Sequence, residues 1–121
     1  MDRFQEFLWA YGADAAATMQ RFMGNETMYL KFLDMFFKDE NIKLLGTALR
    51  ENNMQGAFEA AHTLKGVSGN MGLNPLYDAV CAIVDPLRAG DENADYTKLY
   101  NDILAEYARV EKLGSDLKGG E

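Results

Sequence analysis

The chain holds a single histidine, His62, in the stretch AAHTLKGVSGNMGL that runs from Ala60 to Leu73. Lys65 follows it by three residues, Gly66 by four and Gly69 by seven. An imidazole near its ordinary pKa of about 6.5 offers a nucleophilic ring nitrogen at neutral pH. The rest of the chain narrows what that nitrogen can do. A metal site needs three or four converging ligands, and no second histidine starts such a set. Hydrolysis would need a nucleophile and an orienting carboxylate around the imidazole. Ser68 falls on the opposite side of a helix, and no G-x-S-x-G elbow is present. No G-x-x-x-x-G-K-[ST] loop or other nucleotide cradle occurs, so the chain is not expected to bind ATP or phosphorylate itself. What remains is a histidine that carries a phosphoryl group. Such transfer asks for in-line positioning and positive charge near the equatorial oxygens. Lys65 supplies one charge; the metal and the other catalytic groups would come from a docking partner.

The element that carries His62 must turn it outward. Asn53 is a good N-cap for a helix over about Met54–Met71, with Gly72 as its left-handed terminal residue. On that helix Ala57, Ala61, Leu64, Ser68 and Met71 form one buried stripe, and His62 lies roughly 140° from its middle. Gln55, Phe58, Gly66 and Gly69 share the angle of His62, flanked by Glu59 and Lys65. Glycine costs a helix interior about 1 kcal/mol relative to alanine. Gly66 and Gly69 are read as clearance that lets another backbone approach the imidazole. Gln55, Phe58, Glu59, Gly66 and Gly69 are therefore the expected docking residues.

The other elements also read as helices. A short one runs from about Arg3 to Tyr11, and Asp14 caps a second through Phe22. Asn25 caps a third, whose stripe is Met28 (or Tyr29), Phe32, Leu33, Phe36 and Phe37. A kink is expected near Asp39–Asn41, after which Ile42, Leu45 and Leu49 continue the face. Asn74-Pro75 restarts the chain after the histidine helix, with Leu76, Val80, Ile83, Val84 and Leu87 inward and Gly90 at the end. The last helix reaches about Leu113 and carries Tyr96, Leu99, Tyr100, Ile103, Tyr107 and Val110. The expected fold is all-α, an antiparallel four-helix bundle with a short extra N-terminal helical segment. It makes one domain over 1–121, with a bundle core over about 20–113 and a polar tail over 114–121.

Composition limits the partners. The 121 residues include 19 acidic and 12 basic side chains, a net charge of -7. That balance argues against nucleic acid or anionic membrane as a partner. Cys81 is the only cysteine, so no internal disulfide can form. The opening MDRFQEFLWAYGADAAA is interrupted by Asp2, Arg3 and Glu6 and has no signal-peptide core. No apolar run approaches the roughly 20 residues that span a bilayer. A soluble, cytoplasmic monomer without membrane insertion is the expectation.

AHTLKG followed by SGNMGL resembles the signature of histidine-containing phosphotransfer (HPt) domains, and NETMYLKFLDMFFKD resembles that family's upstream helix. The likeness spans about residues 20 to 110. It implies a four-helix bundle whose exposed histidine takes a phosphoryl group from a receiver-domain aspartate and passes it to another receiver. On this resemblance His62 is the phosphorylated nucleophile, and Lys65 and Arg88 steady the phosphoryl oxygens. The partners are response-regulator receiver domains and a hybrid histidine kinase. The chain itself is a carrier, not an enzyme, and holds no cofactor; Mg2+ belongs to the receiver. Members often carry glutamate or glutamine facing the histidine on the next helix, where this chain has Cys81 and Val84. Glu59, Asp78 and Asp85 are the candidate substitutes for orienting the imidazole. A second reading is a helical module that docks a receiver or kinase without accepting phosphate. A third is an accessory domain of a larger histidine kinase.

Overall fold

The computed structural model describes residues 3–119, which form seven α-helices with no strand among them. They are α1 (Arg3–Tyr11), α2 (Ala15–Arg21), α3 (Glu26–Lys38), α4 (Asn41–Arg50), α5 (Met54–Asn70), α6 (Asn74–Ala89) and α7 (Tyr96–Gly119). Side-chain caps set several starts. Asp14 accepts from the Ala17 N–H at 3.1 Å, Asn25 from Met28 at 3.0 Å and Asn53 from Gly56 at 2.9 Å. Each satisfies a donor that the first helical turn cannot pair internally. Gly72 and Gly90 take left-handed φ values of 70° and 68°, where the chain leaves α5 and α6.

The helices pack as a bundle. α5 lies against α4 on one side and α6 on the other, α6 packs on α7, and α7 meets α3 and α4. Tyr100 of α7 donates its hydroxyl to the Ile42 carbonyl at 2.8 Å, and its ring fills the space left by Gly46. The buried core joins Tyr29, Leu33 and Phe36 of α3 to Leu64 of α5, Ile83 of α6 and Ile103 and Val110 of α7.

Four sequence expectations need correction. The kink at Asp39–Asn41 is a full break between α3 and α4, where Asp39 Oδ1 accepts from the Asn41 backbone N–H at 2.7 Å. On α3, Tyr29 rather than Met28 is fully buried, and Phe32 is exposed. The described part of the expected tail, 114–119, continues α7. Gly114 is buried there, and its missing side chain makes room for Phe37 and Leu33. The N-terminal segment, read as a short extra to the bundle, is instead built into its core. Phe4, Leu8 and Tyr11 of α1 are fully buried, and α1 packs on α7.

Candidate functional site

α5 has neighbours on both flanks, so its outward face is a strip between α4 and α6. Ala57, Ala60, Ala61, Leu64 and Ser68 are buried along its inner side. Alanine at three of these positions lets the adjacent helices approach closely, and His62 projects from the exposed side. The outward placement read from periodicity is the one the fold adopts. Ser68 is fully buried, and its hydroxyl donates to the Leu64 carbonyl at 2.7 Å. It is therefore spent on its own helix and cannot serve as a nucleophile beside His62.

The far end of α5 is pinned from two other helices. Arg21 of α2 donates to the Asn70 carbonyl at 2.8 Å and the Gly69 carbonyl at 3.4 Å. Both carbonyls lie in the last turn of α5, where a cation suits the negative end of the helix dipole. Tyr29 of α3 donates to the Met71 carbonyl at 2.9 Å from within the core. The helix that carries His62 is thus held at its start by Asn53 and at its end by Arg21 and Tyr29.

Around the imidazole, Gln55, Glu59 and Gly66 are exposed, and Phe58, Lys65 and Gly69 are half-buried. A β-carbon on Gly66 would meet no atom within 4 Å, so the surface one turn beyond His62 is open. Gly69 differs from the expectation of a bare face. A β-carbon there would stand 3.3 Å from Cε2 of Tyr77, so the missing side chain is used within the molecule to seat a tyrosine of α6. Cys81, one turn on along α6, holds the Tyr77 phenol above the ordinary tyrosine value. Tyr77 escaped the sequence reading. Its spacing with Cys81 and Arg88 marks an edge of α6 that periodicity alone did not assign to α5.

Arg88 does come to the site, through an aromatic ring. Its guanidinium carbon lies 5.7 Å from the Phe58 ring centroid, and the Phe58 and His62 centroids are 5.7 Å apart with planes at 38°. Phe58 therefore stands in contact with both the histidine and the arginine. Asp85 lies 3.7 Å from Arg88 in an exposed ion pair, which contributes little in solvent. Beside Phe58 a notch of about 390 Å³ opens between α5 and α6, lined by Met54, Gln55, Leu87, Arg88 and Gly90.

None of the candidate substitutes orients the ring by a hydrogen bond. Glu59 accepts from Gln55 at 3.0 Å, Asp85 pairs with Arg88, and Asp78 is exposed. Cys81 is a half-buried free thiol, and Val84 is fully buried. Among the described residues no cluster of three His, Cys, Asp or Glu side chains is gathered as a metal site. Among them, too, no helix is long and apolar enough to cross a membrane.

The site is thus an exposed histidine on an open strip, with Lys65 three residues on and Arg88 over the neighbouring Phe58 ring. Among known families, the Hpt domain model matches residues 31–113, from mid-α3 through most of α7. No curated protein and no solved structure matches the chain. The matched span covers His62, Lys65 and Arg88 together with the helices that carry them, and the chain belongs to the Hpt domain family, the helical phosphocarrier modules of phosphorelay signalling.

Proposed function

We propose that this protein relays a phosphoryl group between receiver-domain aspartates through phospho-His62, as a monomeric carrier in the cytoplasm. The observation that carries the reading is the exposure of His62 on a helix whose next turn, at Gly66, is open to a partner. A ring nitrogen of His62 attacks the phosphorus of a receiver acyl phosphate. The P–O bond to the aspartate breaks, a P–N bond forms, and the aspartate leaves as carboxylate. The return step reverses these changes on a second receiver. Lys65 and Arg88 offset charge on the phosphoryl oxygens, and Gln55, Phe58, Glu59, Gly66 and Gly69 form the contact surface. The receiver brings its own Mg2+ and acid groups, in keeping with an open surface on this side.

The test is transfer of radiolabel from receiver domains phosphorylated with labelled acetyl phosphate. The wild-type protein should take up label, and His62→Gln should take up none. Uptake persisting in His62→Gln would overturn the assignment. Receiver binding without label on His62 would identify a docking module instead.

A further inference from the structure

The imidazole of His62 has an aromatic neighbour where a hydrogen-bonding one was expected. Two of the candidate carboxylates have partners of their own, Glu59 with Gln55 and Asp85 with Arg88, and Asp78 is exposed. Across α6, Cys81 is a half-buried free thiol and Val84 is fully buried. Phe58, one turn before His62 on the same helix, is half-buried, and its ring stands 5.7 Å from the imidazole. That distance lies within the range at which aromatic rings attract one another. Residues at i and i+4 lie on one helix face, so the contact is built into α5 itself.

We propose that Phe58 is the positioning residue for His62. Its ring holds the imidazole outward by ring contact and holds the Arg88 guanidinium beside the same surface. The inference rests on His62 being the phosphoryl acceptor. A hydrogen bond would commit one ring nitrogen to a partner and so bias the tautomer. A ring contact orients the imidazole without drawing on either nitrogen, and leaves both to phosphorus and to protons. The Arg88 contact adds a cation that can leave the ring face when a phosphoryl group arrives. An exposed cation–π pair is weak, whereas an arginine–phosphoryl hydrogen bond is charge-assisted.

Phosphoramidate tests this, because so small a donor cannot dock on Phe58. Phe58→Leu keeps apolar bulk and removes the ring; Phe58→Tyr keeps the ring. Phe58→Leu should lower the rate of His62 phosphorylation by phosphoramidate roughly 2- to 10-fold, the range a ring contact of this kind supports. Phe58→Tyr should keep the wild-type rate. In the unphosphorylated protein, proton NMR should give cross-peaks between the Phe58 and His62 rings. The His62 ring protons should move toward free-imidazole shifts in Phe58→Leu but not in Phe58→Tyr. Absence of those cross-peaks in the wild type, or a wild-type rate in Phe58→Leu, would overturn the proposal. Where leucine disturbs the fold, Phe58→Met makes the same comparison, and the wild-type cross-peaks decide independently of any variant. A wild-type protein that takes no phosphate on His62 would instead sink the carrier reading, with the ring contact still visible by NMR.

Discussion

Thr18 of α2 occupies the space that a β-carbon on Gly72 would need. The two residues join the N-terminal helices to the turn that ends the histidine helix. Gly72 is constrained twice, by this contact and by its left-handed φ of 70°. Thr18 is itself fully enclosed, and its Oγ1 has no hydrogen-bond partner among the described residues. Gly72→Ala should therefore destabilise the protein by at least about 2 kcal/mol, combining left-handed strain with overlap. Thr18→Val, which keeps the shape and removes the unpaired hydroxyl, should be neutral or stabilising by about 1 kcal/mol. Urea unfolding followed by circular dichroism measures both.

The two glycines beyond His62 should separate under substitution. Gly66→Ala meets no neighbour and should gain up to about 1 kcal/mol of helix propensity. Gly69→Ala should gain less, because its new methyl crowds Tyr77. Gly66→Leu should keep the fold and slow transfer from a receiver, while leaving the phosphoramidate rate unchanged. A parallel loss with both donors would show that Gly66 serves the chemistry, not the docking.

Lys65 should matter to transfer more than to binding. Loss of one charge-assisted contact to the phosphoryl oxygens is worth about 1.5–3 kcal/mol, so Lys65→Ala should slow transfer at least about 10-fold. Receiver affinity should change far less. Stopped-flow transfer kinetics alongside calorimetric binding distinguishes the two, and an unchanged rate removes Lys65 from the site.

Tyr29 makes stability depend on alkaline pH. Burial holds its phenol well above the ordinary value of 10.0. The folded state therefore keeps the proton while the unfolded chain releases it. The contribution is complete below pH 10 and is lost as pH rises beyond it, at up to about 1.4 kcal/mol per pH unit. Urea midpoints measured from pH 9 to 11 should fall across that interval. In Tyr29→Phe this part of the slope should vanish, at the cost of leaving the Met71 carbonyl without its donor.

Much of the fold was legible because local rules act within a few residues. Asp14, Asn25 and Asn53 are short polar side chains that can reach N–H groups three residues on, and each caps the helix read from it. Gly72 and Gly90 stop helices because glycine adopts the left-handed turn without strain. The break after Lys38 was harder to read. The apolar stripe resumes at Ile42, and periodicity alone cannot tell a kink from two helices.

By itself, the sequence determined that His62 faces solvent. A 3.6-residue period records which side of a helix is buried, and Ala57, Ala61, Leu64 and Ser68 mark that side. It also left phosphoryl transfer as the remaining chemistry for a lone histidine beside a lysine. The period does not say which neighbouring helix covers a given flank. Tyr77 against Gly69, Arg88 over Phe58, and α1 against α7 are meetings of residues distant in the chain, set by how the helices pack. Tertiary structure alone decided that Arg88 of α6 reaches the Phe58 ring, beside which His62 stands one turn on.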